Sequence, residues 1–337
     1  MSISVVIPCF NEQKYIIPCL ESVCTQQLPA GETLEVFVCD GRSSDNTPTL
    51  IHNYIQSHPQ VKLLINEQRT TPYALNLGIQ ASASDVVVIF GAHAVMKPGY
   101  LMQCLQDFST VKDAGCVGGI IDNIYENKNS QTIGLAMSSP FGVGNAHFRT
   151  GMASGYVDTV AFGAYKREVF NKIGLFDTEL ARNQDDEFNF RLLKNGFKIW
   201  LNPSIRSDYY VRSSIKKLYR QYFQYGYWKV YVNKKHKAIT TVRQLIPFFF
   251  VLFLITGVIA SVFSCYAFLA FIGILGLYKL IGHYFAYQKT KSFMQAVHIV
   301  FVFFILHLSY GLGYLLGVIH FLILNRNAGN QFQGHNR

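Results

Sequence analysis

The segment that decides the fold spans residues 36–47 and reads Val36-Phe37-Val38-Cys39-Asp40-Gly41-Arg42-Ser43-Ser44-Asp45-Asn46-Thr47. Its first four residues are apolar and β-prone, which predicts a buried strand. The aspartate that ends this strand can accept hydrogen bonds from a ligand, and the glycine after it allows close backbone approach. Ser44 or Asp45 can cap the following helix, and this structural role accounts for both residues.

The same alternation of apolar runs and helical stretches fills the first 100 residues. We predict strands at residues 4–7, 34–39, 61–65 and 85–90, with helices beginning near Glu12, Asp45 and Thr71. The strand runs are almost continuously apolar, which indicates a parallel α/β sheet that is covered on both faces. Ligands of such sheets bind at the carboxyl ends of the strands, so the residues that follow each strand are the first candidates for chemistry.

Charge is distributed unevenly along the chain, although the net value is +10. Residues 1–205 contain 15 lysines and arginines against 19 aspartates and glutamates, whereas residues 206–337 contain 15 basic residues and a single acid, Asp208. Eight of those basic residues fall between positions 216 and 243, directly before an apolar run. This position is typical of the cytoplasmic side of a membrane-spanning helix, so we expect membrane lipids and not nucleic acid as partners.

Three long apolar stretches occupy residues 245–263, 266–280 and 296–324. The first and third are long enough to cross a bilayer, which takes about 20 residues, and the second is near the lower limit. We therefore predict two to three transmembrane helices; buried helices of a soluble protein are the weaker interpretation, because the stretches are so poor in charge. The N-terminus lacks the basic start and apolar core of a signal peptide, so we expect the first half in the cytosol.

Two segments together carry a family resemblance. Ile7-Pro8-Cys9-Phe10-Asn11-Glu12 and the later Asp40-Gly41-Arg42-Ser43-Ser44-Asp45-Asn46-Thr47 resemble the opening of glycosyltransferase family 2. Segments 66–76, 138–145, 183–189 and 221–229 are similar to a narrower branch, the succinoglycan-type ExoA-like glucosyltransferases. The resemblance implies an α/β fold of the GT-A type, which is a nucleotide-sugar-binding domain with a mostly parallel central sheet, followed here by C-terminal transmembrane helices.

The predicted domains follow from this resemblance and from the hydropathy. Residues 1–210 form the cytosolic GT-A domain, and residues 211–243 form basic, aromatic helices at the membrane interface. Residues 244–325 form the transmembrane region, and residues 326–337 form a polar tail. The expected location is the inner (plasma) membrane, with several crossings and a cytoplasmic catalytic domain.

The resemblance also implies a donor site at the strand ends. Pro8, Phe10 and Glu12 after the first strand, with Asp40 after the second, would hold the uracil and ribose of a UDP-sugar. Arg69 would lie near the same pocket, where a cation can face the diphosphate. These roles are expectations of the family pattern, and Asp40 is the residue for which the strand-end position independently supports one.

The fourth strand departs from the family pattern. It should end in an Asp-x-Asp motif that binds ribose and a divalent metal, but the chain has Gly91-Ala92-His93. In the ExoA-like branch this motif is usually Asp-Ala-His. His93 therefore matches the branch, whereas Gly91 replaces its carboxylate. An imidazole ligates manganese or zinc better than magnesium, so His93 is a metal or diphosphate candidate, with a structural histidine as the alternative. The resemblance implies Mn or Mg, and Gly91 leaves that dependence open.

The segment Gln184-Asp185-Asp186-Glu187-Phe188 begins a predicted helix and resembles the family's Glu-Asp element. An inverting transfer needs one carboxylate that accepts the proton of the acceptor hydroxyl. The alignment implies Asp185 as this base and Asp186 as the second choice. Alternatively, acids at a helix N-terminus only offset its dipole, but three adjacent acids repel one another, which suits a base better.

A last element, residues 221–228, occupies the position of the family's Gln-x-x-Arg-Trp motif, with Gln224 in place of the arginine. Gln221, Gln224 and Trp228 are therefore acceptor or interface candidates. The aromatic and basic residues around them favour a helix at the level of the lipid headgroups, and Trp228 could additionally stack on an acceptor sugar.

The leading hypothesis is an inverting transfer of a hexose, with glucose implied by the resemblance, from a UDP-sugar to a polyprenyl-diphosphate-linked saccharide in exopolysaccharide or related glycan synthesis. The alternative is a catalytically weak, nucleotide-sugar-binding scaffold of a membrane assembly, which Gly91 motivates. A transporter is disfavoured, because few ionisable residues lie in the apolar stretches. The sequence leaves the oligomeric state open.

Overall fold

A computed structural model describes residues 1–151, 153–240 and 242–327. The chain forms two compact units. Unit 1 consists of Met1–Ile124 and His147–Tyr210, and unit 2 consists of Tyr125–Ala146 and Val211–Arg337. The sequence had assigned all of residues 1–210 to one domain, but segment 125–146 packs with the C-terminal helices instead. The predicted polar tail lies almost entirely outside the described residues.

Unit 1 combines one sheet with helices on both sides. Its strands are β1 (Ile3–Cys9), β2 (Leu34–Asp40), β3 (Val61–Ile65), β4 (Val86–Ile89), β5 (Ala94–Met96), β6 (Ala114–Ile124), β7 (Gly155–Val157), β8 (Ala161–Lys166) and β9 (Lys198–Tyr210). Its helices are α1 (Ile16–Cys24), α2 (Thr47–Ile55), α3 (Thr71–Ala81), α4 (Tyr100–Thr110), α7 (His147–Thr150), α8 (Arg167–Ile173) and α9 (Gln184–Lys194), while α5 (Lys128–Met137) and α6 (Pro140–Val143) belong to unit 2.

The sheet of the described residues has nine strands, in the order β3-β2-β1-β4-β8-β6-β9-β5, with β7 beside β9. Strands β1 to β4 pair with one another in parallel, as the sequence predicted. Strand β8 is antiparallel to β4 and β6, whereas β6 and β9 are parallel, so the sheet is mixed. The parallel half brings the carboxyl ends of β1, β2 and β4 to one edge.

Burial on both faces explains why the strands are so uniformly apolar. Successive residues of β1 alternate between two separate core clusters: Val5 and Ile7 lie in one, and Val6 lies in the other. Strand β2 does the same, with Val36 in the first cluster and Phe37 in the second. All of these side chains are at most 2% exposed, so these positions favour apolar residues, and the buried carboxylate of β2, Asp40, lies at the end of the strand.

Unit 2 is helical. It contains α10 (Ile215–His236), a 3₁₀ turn (Val242–Leu245), α11 (Ile246–Phe263), α12 (Cys265–Thr290), α13 (Phe293–Gly317) and a π-helical segment (Val318–Ile323). Among the described residues, three segments are long and apolar enough to cross a membrane, namely Val242–Phe263, Cys265–Thr290 and Phe293–Ile323. The sequence predicted two to three such helices, and the second is longer than its apolar stretch because helix α12 continues to Thr290.

Helices α10 and α13 approach each other closely at glycines. A Cβ on Gly226 would lie 2.0 Å from the carbonyl oxygen of Tyr310, and a Cβ on Gly313 would lie 2.0 Å from that of Phe223. Only glycine fits at such a distance, so small residues set the spacing of these two helices, as they do in many membrane proteins.

His307 fixes the short helix α6 within unit 2. Its Nε2 lies 3.0 Å from the carbonyl oxygen of Phe141, and its Nδ1 lies 2.8 Å from the hydroxyl of Tyr278. A carbonyl can only accept, so Nε2 carries the proton and Nδ1 accepts from the tyrosine. His307, although it lies in an apolar stretch, therefore has a packing role. This weakens the transporter hypothesis, which needs ionisable residues in these stretches to mark a pathway.

Candidate active site

The turn after β2 is organised by Asp40, which is 1% exposed. Ser43 donates its backbone N–H to Oδ2 of Asp40 at 3.0 Å and its hydroxyl to Oδ1 at 2.5 Å. Both carboxylate oxygens thus hold the turn, and each keeps a lone pair for a further donor. The sequence identified Asp40 from its strand-end position; its role in shaping the turn required the structure.

The loop after β1 is locked to the loop after β2 by side-chain hydrogen bonds. The hydroxyl of Ser43 accepts the N–H of Asn11 at 2.7 Å, and Asn11 Oδ1 accepts the N–H of Ser44 at 2.8 Å. The hydroxyl of Thr47 accepts the N–H of Glu12 at 2.8 Å. These bonds keep Asn11 in a left-handed conformation, with φ 54°. Helix α1 consequently begins later than the sequence predicted, at Ile16 and not near Glu12.

Gly41 is the point where three chain segments meet. Its N–H donates to the carbonyl of Cys9 at 2.8 Å. A Cβ at this position would lie 3.4 Å from the ring of Phe10 and 3.5 Å from Cα of Arg69. The structure therefore brings together two of the residues predicted for the donor site, Phe10 and Arg69, around the glycine that follows Asp40.

Glu12 and His93 come from different loops and meet at the strand ends. Oε1 of Glu12 lies 3.5 Å from Nδ1 of His93, and the two side chains are 6% and 20% exposed. Ala92, between this histidine and Gly91, is buried at 1% exposure. The structure thus joins two residues that the sequence predicted separately, as a carboxylate and an imidazole that can face the same ligand.

Phe162 occupies the space beside Gly91. A Cβ on Gly91 would lie 2.8 Å from Cε1 of Phe162, which is too short without displacement of the ring. The ring also packs at 4.7 Å from that of Phe90, and the Phe162 carbonyl accepts a hydrogen bond from Tyr100 at 2.5 Å. The carboxylate expected at position 91 is therefore absent, and an aromatic ring lies where its side chain would begin.

This arrangement decides how a metal would fit. The described residues contain no group of three or more His, Cys, Asp or Glu side chains that could hold one. Glu12 and His93 offer one carboxylate and one imidazole, and Gly91 offers no side-chain ligand. The side chains at the end of β4 therefore do not fit a protein metal site by themselves.

Helix α9 presents its first acids in different environments. Glu187 is 1% exposed, and Arg191 donates to both of its carboxylate oxygens at 2.6 and 2.9 Å. Arg191 also donates to the carbonyl of Leu175, which anchors this turn of the helix. Asp185 is exposed, and Asp186 is half-buried. The charge of the third acid is offset by Arg191, which leaves Asp185 as the carboxylate most accessible to a substrate.

The residues predicted for an acceptor or interface are buried side chains of helix α10. Trp228 is 0% exposed and packs against Phe321, with ring centroids 6.2 Å apart. Gln224 is 1% exposed, and Gln221 is 8% exposed and donates to the hydroxyl of Tyr225. The expectation that Trp228 faces headgroups or a sugar is not met, because one face of α10 is occupied by helix packing that local sequence does not reveal.

An arginine and two tyrosines that the sequence does not single out lie near His93. Tyr209 in β9 pairs with Ala94 in β5, so its ring reaches His93 edge-on at 5.1 Å. Arg149 lies over the Tyr209 ring at 5.5 Å, and Tyr210 packs on Tyr15 at 4.7 Å. The adjacent tyrosines that follow Asp208 are visible in the sequence, but only the pairing of β9 with β5 connects them to His93.

The model for the family described as Glycosyl transferase family 2 matches residues 4–174. The chain belongs to glycosyltransferase family 2. This family-2 glycosyltransferase is 36% identical over 267 residues to the dolichyl N-acetyl-alpha-D-glucosaminyl phosphate 3-beta-D-2,3-diacetamido-2,3-dideoxy-beta-D-glucuronosyltransferase of Methanococcus voltae, with 77% of this chain and 82% of that protein covered. It is 26% identical over 245 residues to the succinoglycan biosynthesis protein ExoA of Rhizobium meliloti, with 72% and 73% covered.

Solved structures give the same fold. The mannosyltransferase PcManGT from Pyrobaculum calidifontis, in complex with GDP-Man and Mn²⁺, superimposes with a TM-score of 0.63 at 18% identity, covering 93% of this glycosyltransferase and 86% of that chain. TarS of S. aureus, in complex with UDP-GlcNAc, gives a TM-score of 0.51 at 17% identity, covering 67% and 66%. At these identities the likeness shows the GT-A fold alone, and the predicted family and fold are confirmed.

Proposed function

We propose that this glycosyltransferase transfers a hexose from a UDP-sugar to a lipid-linked saccharide, with inversion at the anomeric carbon. The observation that carries the proposal is the exposed carboxylate of Asp185 on the first turn of α9, in the same compact unit as the strand-end loops. A carboxylate that is accessible, and whose neighbour Glu187 is neutralised by Arg191, suits proton transfer from the hydroxyl of a solvent-facing acceptor.

The donor would bind along the ends of β1, β2 and β4. Asp40 has lone pairs left for ribose or base donors, and the glycine beside it lets a ligand approach the backbone. Pro8 and Phe10 would contact the base, Arg69 would face the diphosphate, and Ala92 would line the pocket. Glu12 and His93 would lie at the diphosphate end, where the imidazole can donate a hydrogen bond.

The chemical step would use Asp185 as base. Its carboxylate accepts the proton of the acceptor hydroxyl while that oxygen forms a bond to the anomeric carbon. The bond from this carbon to the diphosphate breaks on the opposite face, and its electron pair leaves with UDP. Attack opposite the leaving group inverts the configuration, so an α-linked donor gives a β-linked product.

The acceptor is proposed to be a sugar on a polyprenyl or dolichyl phosphate. Three segments long and apolar enough to span a membrane support a lipid-linked substrate, as does the lipid-linked acceptor in the name of the methanococcal relative. The same helices and the basic residues of α10 support an inner-membrane location with several crossings and a cytoplasmic unit 1. Glucose remains the proposed sugar, and the diacetamido-glucuronosyl residue of that relative is the alternative.

The test measures UDP release by the detergent-purified full chain from UDP-glucose and from the UDP-linked diacetamido uronic acid, with and without lipid-linked acceptors. We expect acceptor-dependent release that falls about 100- to 10,000-fold in Asp185→Asn. Asp186→Asn is the matched control, because it removes one charge from the adjacent position. Equal losses in both variants would contradict the assignment of the base to Asp185.

A scaffold that binds nucleotide-sugar without turnover is the second candidate. The packing of Phe162 into the space beside Gly91 favours it, because the strand end lacks the carboxylate expected there. The same assay separates the two functions: saturable UDP-glucose binding by calorimetry, with no release from any donor and acceptor, with or without added manganese, would support the scaffold.

A further inference from the structure

Arg149 in α7 is held by two aromatic rings of unit 1. Its guanidinium carbon lies 5.3 Å from the ring centroid of Phe148 and 5.5 Å from that of Tyr209. Stacking on aromatic rings uses the faces of the guanidinium plane and leaves its edge N–H groups for acceptors. The two ring contacts therefore hold the side chain without using its N–H groups as hydrogen-bond donors.

One of these N–H groups lacks a hydrogen-bond acceptor among the described residues. Nη1 of Arg149 is shielded from solvent and has no hydrogen-bond acceptor among residues 1–151, 153–240 and 242–327. A buried charged donor without an acceptor is unfavourable by more than an ordinary hydrogen bond is worth. An anionic ligand would remove this penalty, and a guanidinium edge matches phosphate oxygens particularly well.

The position of Arg149 relates it to the strand-end site. Tyr209, over which it lies, contacts His93 at 5.1 Å between ring centroids, and His93 faces Glu12. Arg149 is therefore one aromatic ring away from the histidine that the proposed function assigns to the diphosphate end of the donor. Gly91 contributes no side chain that could hold a metal cation here. A nearby arginine would supply positive charge that the end of β4 does not.

We propose that Arg149 is a phosphate-binding residue of this glycosyltransferase, held in place by Tyr209. The inference rests on the proposed function, because the two sources of phosphate in that reaction are the donor diphosphate and the phosphate of the lipid-linked acceptor. Either would place an anion against the edge of the guanidinium. As a diphosphate ligand, Arg149 would also offset the charge that develops on departing UDP.

The first experiment compares the dissociation constants of UDP and uridine, measured by calorimetry on the full chain. If the donor is the source, Arg149→Gln weakens UDP binding about 10- to 100-fold and leaves uridine binding unchanged. Arg149→Lys keeps the charge but loses the planar edge, so we expect an intermediate loss. The charge-matched control is Lys198→Gln, at the exposed start of β9 and the opposite end of that strand from Tyr209.

The second arm addresses the lipid. If the acceptor phosphate is the source, UDP affinity is unchanged in Arg149→Gln, and the dissociation constant of the lipid-linked acceptor rises by a similar factor. Unchanged UDP affinity together with an unchanged dissociation constant of the acceptor, in a variant whose melting temperature matches that of Lys198→Gln, would overturn the proposal. Because neither binding measurement needs turnover, failure of the transferase assay would not be mistaken for failure of this inference.

Discussion

The two units bring their backbone segments together by different means. In unit 1, the loops at the strand ends are joined by polar side chains, such as Ser43 bonded to both Asp40 and Asn11. In unit 2, helix backbones meet directly where Gly226 and Gly313 have no side chain. Hydrogen-bonded loops keep polar groups available for a ligand, whereas glycine contacts remove surface from any ligand. Polar groups that a ligand could contact therefore remain at the strand ends of unit 1, whereas the helices of unit 2 are specified by close packing.

The strongest test of the polar side of this comparison is the ion pair in α9. Arg191→Met would leave the buried carboxylate of Glu187 without its cation, and we expect unfolding to become about 3–5 kcal/mol easier. The double variant Glu187→Leu/Arg191→Met removes both charges and should recover most of the loss. Melting curves of the purified chain measure both, and a single variant as stable as the wild type would show that the pair does not hold this turn.

The glycine side of the comparison is tested in unit 2. Gly313→Ala places a methyl group against the carbonyl of Phe223, so we expect destabilisation of about 1–3 kcal/mol. Gly273→Ala is the matched control, since a Cβ there meets nothing within 4 Å in the structure. Thermal unfolding in detergent, followed by tryptophan fluorescence, should separate the two variants; equal melting temperatures would contradict close packing of α10 and α13.

Gly91 combines the two devices, because it is a glycine contact placed at a polar strand end. Gly91→Ala pushes against Phe162, and we expect a loss of about 1–2 kcal/mol. The double variant Gly91→Ala/Phe162→Leu replaces the ring by a smaller side chain and should restore part of the lost stability. If the single variant melts with the wild type, Phe162 is free to move, and the space for a carboxylate at position 91 is open after all.

The smallest expected effect concerns Asp122, at the end of unit 1 where β6 meets β9. Partial burial raises the pKa of Asp122, but hydrogen bonds and charge from Arg206, together with the charge of Lys97, outweigh it and lower the pKa below its ordinary value of 3.8. A carboxylate whose pKa is lower in the folded state stabilises the protein at pH values above its ordinary pKa. This stabilisation is lost as the pH falls through the lowered pKa. Since the pair is partly exposed, we expect at most about 1 kcal/mol.

The measurement for Asp122 is the difference in melting temperature between wild type and Arg206→Gln as a function of pH. The wild type should be the more stable near pH 7, and the difference should shrink below about pH 4, as the carboxylate becomes protonated. A difference that stays constant down to pH 2 would show that the pair does not contribute through charge.

Local sequence predicted the parallel half of the sheet well. Strand β3 was predicted at residues 61–65 and is Val61–Ile65, and helix α3 begins at Thr71 as expected. Both follow from short-range features: a continuous apolar run for a doubly buried strand, and a threonine-proline start for a helix. The candidate residues at the strand ends could also be predicted from the sequence, because parallel strands end at a common edge.

Features that depend on contacts between residues far apart in the chain could not be predicted from the sequence. The packing of segment 125–146 with unit 2 and the burial of Trp228 depend on helices far along the chain, which leave no periodic pattern in the segment itself. Arg149 was overlooked because its relation to His93 passes through Tyr209, and that contact exists only once β9 pairs with β5. A sequence motif records which residues a fold needs locally, but not which ring will bridge two loops.

In the proposed reaction, Asp185 is the base of an inverting transfer. The most direct measurement is the anomeric configuration of the glycolipid product, determined from the coupling constant of its anomeric proton by NMR, with an α-linked UDP-sugar as donor. We expect a β-linked product formed by the wild type and not by Asp185→Asn. An α-linked product, or product of either configuration formed at the wild-type rate by Asp185→Asn, would contradict it.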